Sequence, residues 1–251
     1  MSKTKQTQAS AGSLGETVRT IVYAVLIAVG IRSFLYEPFN IPSESMLPTL
    51  LVGDYLFVSK FSYGYSKYSL PFSLPLIPGH VLERFPQRGD VAVFKFPRDN
   101  STDYIKRIIG LPGDRIQVKA SELYLNDVKV PRKRVEDFTL RGRPVAQYIE
   151  TLPNGVSYRT LDLRDDSDTD NTGVFTVPPG FVFAMGDNRD NSSDSRVSPA
   201  DGGVGFVPAI NLEGRADFMF FSTDGSAAMW EFWKWPFATR FSRMFRTIAL
   251  N

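Results

Sequence analysis

Residues 103–119 read DYIKRIIGLPGDRIQVK, two short runs rich in β-branched side chains on either side of Pro112-Gly113. Runs of this length, rich in Ile and Val and bounded by Gly and Pro, read as strands. Two are therefore predicted, over 103–110 and 114–119. The same texture continues outward in both directions, in GDYLFVSKF (53–61), RGDVAVFKFP (88–97) and GVFTVPPGFVFAMGD (173–187). ELYLNDVKV carries a hairpin signal at Asn126-Asp127. No long stretch shows a 3.6-residue period before the C-terminus. The expected fold class is mainly β, with a Greek-key or β-barrel-like core formed by 37–119 and 173–222. Residues 120–172 are more polar and irregular, and read as an inserted smaller β-rich subdomain.

Composition narrows the chemistry. The chain has 251 residues, no cysteine, one histidine and a formal net charge of +2. Disulfides, thiolate zinc sites and cysteine nucleophiles are excluded. A multi-histidine metal centre is impossible, and no cofactor or metal is expected. The charge balance makes no case for a nucleic-acid partner. The lone His80 falls in the Pro/Gly-interrupted loop LPLIPGHVLERFP, so a Ser-His-Asp triad would have to rest on one loop residue.

The N-terminus reads as a polar tail, 1–16, followed by one transmembrane helix, 17–36. Its uncharged centre runs only from Thr20 to Ile31. A 20-residue helix nevertheless spans about 30 Å, and arginines near its ends can reach the headgroups. A cleaved secretory signal and a buried core helix are the competing readings. No A-x-A-like site follows, and Pro38 and Pro42 occupy the region where one would lie. Lys3, Lys5 and Arg19 against Glu16 place the tail in the cytoplasm by the positive-inside rule.

The C-terminal segment 223–251 holds all three tryptophans, in WEFWKWPF. At helical spacing, Phe237, Phe241, Met244, Phe245 and Ile248 share one face, opposite Arg240, Arg243 and Arg246. A packed amphipathic helix and a membrane-interfacial one both fit.

Within the insert, LRDDSDTDN suggests a calcium loop because Asp166, Asp168 and Asp170 alternate. Asn171 stands where glycine is required, however, and Val177 where the closing glutamate belongs. A solvated acidic turn is the expected outcome. PRKRVEDF (131–138) reads as surface.

IPSESMLPTL (41–50) sets Ser43 and Ser45 between two prolines, on a segment expected to be extended. A serine nucleophile needs a base, and without histidine the next choice is lysine. Only neutral lysine accepts a proton, so its pKa must fall from near 10.4 to about 8, at a cost of about 3 kcal/mol. Desolvation among apolar neighbours supplies that. Lys106, beside Ile105 and sharing a strand face with Tyr104 and Ile108, is the candidate. MGDNRDNSSDSR (185–196) reads as a turn built on side-chain-to-backbone bonds, or as a loop that orients the lysine.

PSESMLPTL, GDYLFVSKFSYG, RGDVAVFKFP, YIKRIIGLPGD and GDNRDNSSDSR together resemble, in order and wording, the boxes of the bacterial type I signal peptidases (leader peptidases), a serine/lysine-dyad family. The resemblance runs from about residue 17 to 208. It implies a serine endopeptidase anchored in the inner (cytoplasmic) membrane, single-pass, with its catalytic domain on the outer, periplasmic side. Such an enzyme cleaves signal peptides from exported preproteins through an acyl-enzyme. On this resemblance Ser45 is the nucleophile and Lys106 the general base. Ser43 completes the oxyanion hole with the Ser45 N–H, and Ser192 orients the lysine amine. Arg107, Asp187, Asp194 and Arg196 support the site. Glu44 departs from the glycine usual between the two serines; it must face solvent or it would hold Lys106 charged.

The resemblance further implies cleavage after small residues (A-x-A), in shallow pockets walled by Phe39, Ile41, Met46, Leu50, Tyr104 and Ile105. β-Strand addition would hold the peptide. The expected partners are exported preproteins and membrane phospholipid, with the chain acting as a monomer. Two alternatives remain: another Ser/Lys peptidase on a similar fold, such as a self-cleaving repressor or a pilus-processing enzyme, and a noncatalytic tethered β-domain that binds peptides. A repressor would carry a DNA-binding helix-turn-helix where this chain has an apolar helix.

Overall fold

The computed structural model describes residues 14–227 and 230–248. The predicted tail lies outside them, apart from residues 14–16, which already belong to helix α1 (Leu14–Phe34). In chain order the strands are β1 (Tyr36–Asn40), β2 (Asp54–Ser59), β3 (Val91–Lys95) and β4 (Asp103–Gly110), then β5 (Arg115–Lys119), β6 (Glu122–Leu125), β7 (Val128–Lys129) and β8 (Arg132–Arg134). There follow β9 (Phe138–Leu140), β10 (Arg143–Thr151), β11 (Ser157–Asp162) and β12 (Phe175–Thr176), and lastly β13 (Phe181–Met185), β14 (Val207–Pro208), β15 (Leu212–Ser222) and β16 (Arg246–Thr247).

The mainly β expectation holds. An eight-stranded antiparallel sheet runs β1-β2-β15-β3-β4-β13-β14, with β16 added beside β15. Three register shifts along β15 let this long strand bend, so the sheet curls into a half-barrel. Strand period decides the packing. In β3, Val91 and Val93 enter one core with Ile41, Met46, Leu50 and Leu56. Ala92 and Phe94 enter another with Ile108, Val182 and Ala184. With both faces covered, the central strands read as continuous apolar runs rather than alternating ones.

The insert is more regular than its polarity suggests. β10 is nine residues long and pairs with β11, β8 and β9. Asn126 and Asp127 do form the hairpin turn, both at positive φ (53° and 65°). β5 and β12, from either side of the insert, pair with each other, and β6 pairs with the other edge of β5, in one small sheet. Its core includes Ile109, Phe183 and Met185 of the large sheet. The acidic stretch is a turn: the Asp170 carboxylate accepts the Ser167 N–H at 2.7 Å.

α1 is long and apolar enough to cross a membrane. Ser33 is its only buried residue, which excludes the buried-core reading. Its last turn is tied to the sheet: Tyr65 Oη donates to Phe34 O at 2.9 Å, and Arg32 pairs with Glu37 of β1. The C-terminal helix does not form. Only Trp235–Ala238 is helical; a 3-10 turn at Phe241–Arg243 and β16 follow. The edge of β15 competes better for this backbone. Arg240 N donates to Ser222 O, and Ile248 N donates to Asp217 O. Arg243 reaches buried Asp54, and Phe245 takes φ +57°.

Candidate active site

The segment carrying the two serines is extended only as far as Ser43. From Glu44 the chain turns, with Leu47 N donating to Glu44 O and Leu50 N to Met46 O. This corrects the expected extended platform; buried Met46, Leu47 and Leu50 draw the chain inward. The polar loop 186–196 clamps the turn. Asn188 N donates to Ser45 O, and Asn188 Nδ2 to Glu44 O, both at 3.1 Å.

Lys106 lies in the N-terminal half of β4, whose edge opposite β3 is unpaired until β13 joins at Arg107. Its Nζ donates to Ser45 Oγ at 2.7 Å and to Ile105 O at 2.9 Å. It also lies 5.3 Å from the Tyr104 ring centroid, as the shared strand face requires. Only 4% of Lys106 is exposed. Burial lowers its pKa to about 8, against the opposing pull of Asp194 and Asp187. Ser43 Oγ stands 3.4 Å from Ser45 Oγ.

Ser192 does not make the expected contact with the lysine. Its Oγ is buried without a hydrogen-bond partner among the described residues, while Lys106 Nζ is turned to Ser45 and Ile105. Ser192 still packs at the site, against Gly186. A Cβ on Gly186 would overlap the Ser192 side chain and lie 2.6 Å from Ser45 O.

The four charged residues expected to support the site, Arg107, Asp187, Asp194 and Arg196, form two buried pairs. Arg107 grips Asp187 through Nε (2.7 Å) and an amino group (2.6 Å), and Thr49 Oγ1 donates to the same carboxylate. Arg196 holds Asp194 through two bonds of 2.9 Å, and Asp194 accepts the Gly186 N–H. Burial works against the Asp194 charge, but Arg196 and the backbone donors outweigh it and hold the carboxyl below its ordinary range.

A third pair was not foreseen. Arg189 binds Glu150 of β10 through both amino groups, and Tyr158 of β11 donates to the same carboxylate. Arg189 was visible in its box, but no local signal ties it to an acid on the insert. The insert thereby braces the loop behind the serine.

Phe39, Ile41, Tyr104 and Ile105 line a groove of about 490 Å³ that contains Ser45 and Lys106. Met46 and Leu50 do not line it. They are fully buried in the core beneath. His80 is absent from its lining and sits 3.7 Å from Glu83. Among the described residues no cluster of His, Asp and Glu is arranged to hold a metal.

The family model described as "Signal peptidase, peptidase S26" matches residues 14–221. The signal peptidase I of Rickettsia typhi is 45% identical over 213 residues, covering 81% of this chain and 79% of that protein. That of Rickettsia canadensis is 44% identical over 214 residues, covering 82% and 79%. A crystal structure of a signal peptidase I from Enterococcus faecalis is 28% identical, covers 53% of this chain and 97% of that one, and gives a TM-score of 0.32. By the family match and the extent of these identities, the chain belongs to the peptidase S26 family of signal peptidases and is a serine peptidase.

Proposed function

We propose that this chain is a membrane-anchored endopeptidase that removes signal peptides from exported preproteins by a Ser45/Lys106 dyad, cutting after small residues in an A-x-A pattern. The observation that carries this is the 2.7 Å contact between Lys106 Nζ and Ser45 Oγ, made by a buried lysine of pKa about 8. At pH 7 about a tenth of such a lysine is neutral, against less than about one part in a thousand for an ordinary one. Neutral Nζ takes the Ser45 proton as Oγ attacks the scissile carbonyl. The oxyanion is met by the Ser45 N–H and the Ser43 hydroxyl; each such donor is worth about 3 to 4 kcal/mol. Lys106 then protonates the leaving amine, leaving an ester on Ser45. With its proton gone, it activates the water that hydrolyses that ester. Ser192, after a rotamer change, gives the amine a further partner beside Ser45 and Ile105 that fixes its direction.

The small-residue preference is supported by the bulky apolar side chains Phe39, Ile41, Tyr104 and Ile105, which line the groove beside Ser45 and Lys106. The free edge of Asp103–Lys106 can accept a substrate strand. α1 serves as the anchor in the cytoplasmic membrane, with residues 1–13 on the cytoplasmic side, the sheet on the other face, and the enzyme monomeric. Exposed Trp230, Phe232, Trp233, Phe237 and Phe241 fit contact with phospholipid headgroups. The test is cleavage, in detergent, of a preprotein with an A-x-A site, read by intact mass. A single cut after the small residue is expected, abolished in both Ser45→Ala and Lys106→Ala. Cleavage that survives Lys106→Ala overturns the dyad.

A further inference from the structure

Glu44 stands between the two serines, and two distant segments surround it. Its carboxylate accepts a hydrogen bond from an Arg141 amino group at 2.5 Å and another from Asn191 Nδ2 at 3.3 Å. Arg141 opens the tight turn between β9 and β10, where Arg141 and Gly142 both take positive φ (50° and 78°). That is the geometry of a short hairpin, which matches the twist of its strands and holds its tip in place. The insert thus reaches the turn of Ser45 with one guanidinium from the end of a short hairpin.

An ion pair this exposed is a poor stability device. The Arg141 side chain is 78% exposed and that of Glu44 23%, and such pairs contribute about 0 to 1 kcal/mol. Its position gives it a different use. β1 and β4 both run toward the dyad, and their side chains Phe39, Tyr104 and Ile105 form the apolar arm of the groove. Glu44, Asn191 and Ser193 supply polar lining to the same groove. A peptide laid along β1 and β4 on one side of the cut would bring its first residues after the cut to Glu44, and through it to Arg141, which does not itself line the groove. The guanidinium spends one amino group on Glu44 and turns other donors to water.

We propose that Glu44 and Arg141 form a charge-reading element for the mature side of the substrate, in which Arg141 cancels the Glu44 carboxylate so that acidic residues just after the cut are accepted. This rests on the signal peptidase reading above. It also gives the departure at Glu44 and the hairpin tip of the insert one shared purpose.

The test uses the full chain in detergent and two A-x-A peptides that differ only in Glu or Lys at the second residue after the cut. The readout is the ratio of kcat/KM, Glu peptide over Lys peptide. Arg141→Asn removes the charge, and asparagine tolerates the left-handed backbone. In that variant the ratio is expected to fall about three- to tenfold, as two partly screened charges a few ångströms apart dictate. Glu44→Gln is expected to move it the opposite way. The double variant returns it to within about twofold of wild type, since the two effects act through one pair. The shifts shrink in about 1 M salt, where the Debye length is about 3 Å. If each variant slows both peptides equally, the pair is only a structural tie and the proposal fails, with the peptidase reading intact. If wild type cuts neither peptide, both fail.

Discussion

Lys106 Nζ and Ser45 Oγ, 61 residues apart in the chain, lie 2.7 Å from each other on a free strand edge and a tight turn. The turn is held by Asn188 and the edge by β3, so neither partner can drift without disturbing packed elements. This arrangement places a buried lysine amine within hydrogen-bond reach of the hydroxyl, where burial disfavours its charge.

The pH profile follows from it. With Lys106 near 8, log kcat/KM is expected to climb about one unit per pH unit below that value and level off above it. Steady-state assays from pH 6 to 10 measure it. A profile with no inflection near 8 would contradict the lysine assignment.

Stability should respond to the same lysine with a defined sign. Its folded pKa lies below its unfolded value of 10.5, so between about pH 8 and 10.5 the unfolded chain binds the extra proton and stability rises with pH. Below pH 8 the penalty is fully present, about 3 kcal/mol for this shift. Lys106→Met is therefore inactive yet should melt higher than wild type at pH 7, and the gap should close near pH 10.5. Equal melting temperatures at both pH values would contradict the burial argument.

Gly186→Ala probes how closely the polar loop approaches Ser45. The added methyl has no space between the Ser192 side chain and Ser45 O. Displacing Ser45 by about 1 Å should lower kcat about 100-fold, with circular dichroism unchanged. Near-normal kcat would mean the loop yields without moving the serine.

Asp194→Asn tests the support beneath. It leaves Arg196, whose side chain is 1% exposed, without its anion, at a cost of about 3 to 5 kcal/mol. Asp194 also pulls the Lys106 pKa upward, so its loss should shift the acid limb of the pH profile to lower pH in whatever enzyme remains folded. Thermal melts and the pH profile read the two effects separately. A limb moved to higher pH would refute the electrostatic assignment.

The chemistry was legible because it is local in kind. The scarcity of histidine pointed to lysine and the Ile-rich strand to Lys106, while the prolines marked Ser43 and Ser45 alike, and the choice of Ser45 came from the resemblance to the family. The strands were legible for a similar reason: β-branched runs closed by glycine and proline specify extended backbone whatever their neighbours. The C-terminal segment shows the limit. Its spacing suited a helix, but the open edge of β15 and the buried Asp54 carboxylate offered its backbone and Arg243 better partners, and no local pattern encodes those.

By itself, then, the sequence determined the β class and the long apolar N-terminal helix, and through the family resemblance it pointed to Ser45 and Lys106 as the pair. Tertiary structure alone decided that Met46 and Leu50 lie under the groove rather than in its wall. It also decided that Ser192 makes no hydrogen bond to the lysine, that Arg189 pairs with Glu150, and that Arg141 reaches Glu44. Each of these depends on residues brought together by sheet order and burial. Contacts across dozens of residues are selected by the free energy of the whole packing rather than by the propensity of any one segment.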